Sequence, residues 1–327
     1  MLSVFALFGV ISSGSLFTTS FFGKRYEESA PLSVFGLIAI LYVFGLLHLL
    51  RAGVFAACVI AAALLIATIY HEATKKQWRA FFGRTLTPAF FLFLAATAAI
   101  VLITRGRLIT GWDQYSHWAY IVKAMAFADD FGTNPTLHAL YPGYPPAMPL
   151  LQYFTVVLNG GYAEWLLYAA FLMAATSLFL PFLKRLTYQT VALNIAVCGL
   201  IIFIPTLFFF DYYANLQVDS MLGLTFGFAM ATLFMAEEKD TLSRLSVLLS
   251  IFILALLKPA GSLLALFALI SFLVDVLLKP KISETLPDLA ATERKNRWRR
   301  ERDSFRMAEA RFRHDDAKGT GRRGSRA

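Results

Sequence analysis

The chain has 327 residues, of which 58% are hydrophobic and only 16% charged, too little polar surface to cover a water-soluble globule of that size. Most of its formal charge of +9 sits in residues 279–327, where 15 Lys and Arg face 8 Asp and Glu, leaving the apolar remainder close to neutral. Composition therefore excludes a soluble enzyme and points to an all-α, polytopic bundle of transmembrane helices. Membrane lipid is the expected surface partner, and no nucleic-acid partner is expected.

Nine apolar runs predict nine spans, at about 1–22, 32–50, 52–70, 87–104, 162–183, 190–210, 220–236, 242–257 and 261–278. The first opens MLSVFALFGV with no basic leader, and a second run comes closely after it, so it reads as a span rather than a cleaved signal peptide. Cys58 and Cys198 fall inside apolar runs and read as packing residues. Lys24 and Arg25, the group Lys75, Lys76, Arg79 and Arg84, and the pair Lys184 and Arg185 lie at span ends. The positive-inside rule places them in the cytoplasm.

Alternation then puts residues 105–161 outside, together with FDYYANLQVDS (210–220) and the LLKPAGS turn (256–262). Within the large external loop, AMPLLQYFTVVL (147–158) covers only about 18 Å as a helix, against a hydrocarbon core of about 30 Å. It is expected to be juxtamembrane or re-entrant, launched by Pro145 and Pro146. The chain thus divides into N-terminal helices 1–86, a transmembrane module 87–278 carrying the external loop, and a cytoplasmic tail 279–327. In the tail Trp298, Phe305 and Phe312 recur every seven residues, which suits either a basic amphipathic helix on anionic lipid or a disordered charged segment.

The external polar clusters carry whatever chemistry there is. Asp113 opens the external helix-forming stretch, in which Trp118, Ile121, Val122, Met125 and Ala128 share a helical face suited to the headgroup layer, with Lys123 at the interface. Asp113 can be a plain N-cap of that helix, or a functional carboxylate with His117 one turn later. Downstream, YPGYPP stiffens an extended strip, as a floor for a ligand or as a helix-entry turn. Asp211 and Asp219 bracket an external loop that also holds Tyr212, Tyr213, Asn215 and Gln217. Lys258 ends an apolar run, either as a snorkelling anchor or as a cation for a lipid-linked phosphate.

The order of these elements resembles the GT-C class of glycosyltransferases, to which protein O-mannosyltransferases and the lipid A aminoarabinose transferases belong. An Asp enters the first large external loop, a Pro-Pro element opens a short helix, and two spans joined by a basic turn lead to YYANLQVDSMLGL and then LLKPAG. The resemblance covers about residues 87–278. It implies a polyprenyl-phosphate sugar donor, a glycan, lipid or protein acceptor, and an active site on the external face of the cytoplasmic membrane of a cell envelope. Asp113 would be the catalytic base, Asp219 the second acidic residue, and Lys258 the phosphate ligand. Tyr144 and Pro146 match an element lining the donor site. His117, Tyr213, Asn215 and Arg105 are further expected substrate contacts, with Arg107 an alternative to Arg105 at the phosphate.

Three features depart from the class. Gln114 comes after Asp113 where some relatives carry Glu, which leaves the cofactor open, a divalent cation among the candidates. Three spans precede the first catalytic loop instead of one. The spans stop after nine, consistent with a short member, a truncated one, or a reading frame that changes near residue 280. Two other readings stay open beside the transferase: a transporter or flippase for a lipid-linked or small polar substrate, and a non-catalytic assembly subunit whose outer carboxylates are helix caps.

Overall fold

A computed structural model describes residues 1–132, 134, 137, 139–208, 211–235 and 240–277; for Val191, Cys198, 201–206 and Phe208 it describes the backbone alone. The basic tail and its heptad aromatics lie outside the described residues. Among those residues the chain is helical throughout, with no strand. Met1–Phe272 forms one compact unit, so the helices before residue 87 pack together with those after it. Of the second unit, Leu273–Ala327, only 273–277 are described, as helix.

The helices in chain order are α1 (Leu2–Phe22), α2 (Tyr26–Leu46), α3 (Leu50–Lys75), α4 (Trp78–Thr85), α5 (Pro88–Thr104), α6 (Ala119–Ala128), α7 (Ala147–Leu158), α8 (Glu164–Phe179), α9 (Val191–Phe208), α10 (Asp219–Met235), α11 (Thr241–Leu257) and α12 (Gly261–Leu277). A helix thus occupies each of the nine apolar runs. Among the described residues, four segments are long and apolar enough to cross a membrane: α1, α2, α3 and α8 extended by a 3-10 turn to Leu183. A fifth is added if α4 and α5, bent by 53° at their junction, count as one. α7, α10, α11 and α12 are shorter apolar helices.

Local chemistry sets the ends. Gly23 closes α1 in the left-handed conformation at φ 69°, where a side chain would be strained. Thr87 caps α5 by accepting from the Phe90 amide, and Pro88 occupies the first turn, where its missing N–H costs nothing. Inside the bundle, α1 meets α2 and α3 along hydroxyls: Ser12 bonds Tyr26 at 2.8 Å, and Ser20 donates to the buried Glu72 at 2.6 Å. Small polar residues allow close helix approach where lipid offers no hydrophobic drive for association.

α7 is buried on every side, with Leu150, Leu151 and Phe154 fully enclosed, and it packs against α1, α2, α6 and α8. A short helix is thereby tucked among the longer ones. The face of α6 expected in the headgroup layer is instead buried: Trp118, Ile121, Val122 and Met125 are core residues, and α6 packs on α7. An amphipathic stripe marks an apolar neighbour without saying whether it is lipid or protein. Lys123 does remain exposed, with its ammonium 5.8 Å from the centre of the Tyr162 ring.

Loop contacts gather the connections at two opposite ends. At one end Lys24 pairs with Asp240 at 2.6 Å, Arg25 donates to the Lys184 carbonyl at 2.6 Å, and Tyr188 donates to the Leu86 carbonyl at 2.7 Å. At the other, His48 meets Asp130 at 3.0 Å, Arg107 donates to the Tyr213 carbonyl at 3.1 Å, and Gln217 reaches Asp113. The candidate residues lie at this second end.

Candidate functional site

A cavity of about 200 Å³ opens at that end, lined by Asp113, Ser116, His117, Trp118, Tyr141, Tyr144, Gln217, Asp219 and Lys258. Four separate chain segments supply it. Asp113 comes from the start of the α6 region, which opens with a π-helical turn (Gln114–Trp118). Tyr141 and Tyr144 come from the proline strip, Gln217 and Asp219 from the approach to α10, and Lys258 from the α11–α12 turn.

Asp113 has helical backbone angles, and its side chain makes no capping hydrogen bond. One carboxylate oxygen accepts from Gln217 Nε2 at 2.8 Å. The second has no partner among the described residues. The N-cap reading is therefore not realised, and the carboxylate is held across a separation of 104 residues.

Lys258 and Asp219 form an ion pair at 2.8 Å, with side chains 26% and 51% exposed. The turn that presents the lysine is built by backbone bonds from Gly261 and Ser262 to the carbonyls of Lys258 and Pro259. Glycine is required there. A Cβ on Gly261 would lie 2.0 Å from the Leu254 carbonyl oxygen and 2.8 Å from Leu222.

His117 is 97% buried, its exposure being 3%. It sits edge-on to Tyr144 and Tyr141, with ring centres at 4.8 and 5.3 Å. The two tyrosine rings stack at 5.2 Å with planes 16° apart. Burial lowers the imidazole pKa to about 4, so the ring is neutral at physiological pH. It offers one donor and one acceptor, and its Nδ1 is buried without a hydrogen-bond partner among the described residues.

Gln114, next to Asp113, is a buried hydrogen-bonding residue. It is 7% exposed, accepts from Tyr168 at 2.7 Å and donates to the Ala214 carbonyl at 3.1 Å. A Glu here could not donate to that carbonyl, and two acceptors would face each other. Asn215 acts one step back, its side-chain oxygen accepting from the Gln217 amide at 2.8 Å.

The other expected contacts lie elsewhere. Arg105 is exposed at the end of α5, outside the cavity. Arg107 is tied to the Tyr213 carbonyl and lies 5.7 Å from the centre of the Tyr168 ring. Pro146 caps α7 without lining the cavity. Tyr213 borders a different cavity, of about 480 Å³, running between Leu92, Ala96 and Ile100 of α5 and Leu172 and Phe179 of α8. Among the described residues no group of three or more His, Cys, Asp or Glu side chains is placed to hold a metal ion. Sequence reasoning passed over Ser116 and the direct contact of Gln217 with Asp113, and it gave Tyr141 no separate role. The YPGYPP strip was the only sign of the last.

Compared with family models, curated proteins and solved structures, the chain matches none. Its function is therefore read from geometry and chemistry.

Proposed function

We propose that this chain is an integral membrane glycosyltransferase, moving a sugar from a polyprenyl-phosphate donor to an acceptor hydroxyl at the external face of the cytoplasmic membrane. The observation that carries this reading is the cavity itself. A carboxylate with one oxygen uncommitted among the described residues meets a second carboxylate and a lysine there, both more than a hundred residues further along the chain.

The chemistry is a single displacement. The acceptor oxygen attacks the anomeric carbon as the bond from that carbon to the phosphate oxygen breaks, with inversion. The acceptor proton passes to Asp113, and the bonding pair leaves with the phosphate, whose charge meets Lys258. General-base help of this kind is worth roughly 10²- to 10⁴-fold, and a fixed cation stabilises charge as it develops. Asp219 aligns Lys258 through their ion pair. The apolar cavity beside α5 and α8 offers the donor's isoprenoid chain a path along the bundle.

Nine crossings fit this reading. The alternating loops gather at two ends, one of them carrying Lys24, Arg25 and Lys184, as a cytoplasmic end would. α10, α11 and α12, at 17 residues each, lie at the short limit of the roughly 17–25 that cross a bilayer. A transporter would place its polar groups near mid-membrane, whereas this cavity sits at an end of the bundle. Purified protein in proteoliposomes, given a polyprenyl-phosphate sugar on the lumenal or the outer side, separates the two. We expect release of polyprenyl phosphate with glycosylated acceptor; movement of intact donor between leaflets without release would favour the flippase.

A further inference from the structure

Within the cavity the charged groups and the aromatic groups are separate. Asp113, Asp219 and Lys258 supply charge, while Tyr141, Tyr144, Trp118 and His117 make a continuous wall. Trp118 and His117 are almost fully buried, so this wall is set by packing before any ligand arrives. His117 stands edge-on to both tyrosines with its Nδ1 sealed from solvent, so the wall meets a ligand through ring faces, beside the polar groups of Asp113, Asp219 and Lys258. Sugar rings offer that pairing: their axial C–H bonds pack on aromatic faces, and their hydroxyls bond to donors and acceptors at the edge. The volume, about 200 Å³, is smaller than the roughly 300–1,000 Å³ of pockets for drug-sized ligands, which leaves room for one ring.

Resting on the transferase reading, we propose that the wall of Tyr141, Tyr144, Trp118 and His117 is the subsite for the transferred sugar, and that it takes one sugar ring rather than a preassembled oligosaccharide. Tyr141 is the specificity-determining contact by stacking, and His117 holds the two tyrosine rings in place by packing edge-on against them. The phosphate is met at the other side of the cavity by Lys258, so sugar recognition and phosphate recognition are separable.

Two probes test this on the full chain in nanodiscs: undecaprenyl phosphate, and undecaprenyl-phosphate mannose. Tyr141 is 48% exposed, so its replacement threatens folding little. Tyr141→Ala should weaken the mannose-bearing lipid by roughly 3- to 10-fold, the scale of an aromatic contact, and leave undecaprenyl phosphate unchanged. Tyr141→Phe should bind both as wild type does. Lys258→Met should weaken both. Equal losses for the two lipids in Tyr141→Ala, or none for either, overturn the sugar subsite while leaving the transferase reading intact. Lack of binding of undecaprenyl phosphate to wild type strikes that reading instead. In that case methyl α-mannopyranoside, with saturation-transfer NMR as the readout, still decides the wall: the signal should be present in wild type and weakened in Tyr141→Ala, and its absence from wild type overturns the proposal. A donor carrying a tetrasaccharide should bind more weakly than undecaprenyl-phosphate mannose; equal or tighter binding contradicts the one-ring limit.

Discussion

Lys258 separates an anchor from a ligand-binding residue. Its ion pair with Asp219 is partly exposed, and such pairs are worth about 0–1 kcal/mol. Lys258→Met should therefore lower the thermal midpoint in detergent only slightly. A charge-assisted hydrogen bond to a bound phosphate is worth roughly 1.5–3 kcal/mol, so the same change should weaken donor binding by about 10- to 150-fold. Lys258→Arg should restore binding only in part, because the planar guanidinium is larger than a compact ammonium. Titration with undecaprenyl phosphate checks this, and wild-type affinity in Lys258→Met would reduce the residue to a snorkelling anchor. The roles proposed for Asp113, Asp219, His117, Tyr144 and Lys258 were visible as residue types at the mouths of loops. The bond from Gln217 to Asp113 was not, because nothing in local periodicity encodes a contact across 104 residues.

Among the elements, the α11–α12 turn matters most, because it aims the lysine. Gly261 has no room for a side chain: a Cβ would stand 2.0 Å from a backbone oxygen of α11, and backbone yields far less readily than a side-chain tip. We expect Gly261→Ala to push the start of α12 away from α11 and to shift Lys258 from Asp219. Donor affinity should then fall as far as in Lys258→Met, with a larger loss of thermal stability than that variant shows. A Gly261→Ala protein with wild-type affinity and midpoint would mean that the turn tolerates the displacement. The nine apolar runs were legible from hydropathy, and so was the short α7 from its length and its prolines. The environment of α6 was not. Its apolar stripe reads the same against headgroups as against α7, and only the tertiary packing that buries Val122 and Met125 distinguishes them.

For the whole molecule, an external transferase requires the cavity and the Lys24–Asp240 end to face opposite sides of the membrane. Single cysteines in a background lacking Cys58 and Cys198 can read this. Gln114 would be a poor reporter, being buried and hydrogen-bonded at both ends, whereas Tyr115 is 68% exposed. Tyr115→Cys should react with an impermeant thiol reagent in intact cells, and Gln77→Cys only after permeabilisation. The reverse pattern would put the cavity in the cytoplasm and remove an external transferase.

Catalysis by Asp113 is decided by single-turnover sugar transfer in Asp113→Asn beside wild type, with donor affinity measured on the same preparations. Asn keeps the size and can still accept a hydrogen bond from Gln217, but it cannot take a proton at neutral pH. With Asp113 as the base, donor binding should stay within about twofold of wild type while the transfer rate falls by about 10²- to 10⁴-fold. Transfer at the wild-type rate in Asp113→Asn would contradict that role and the mechanism built on it.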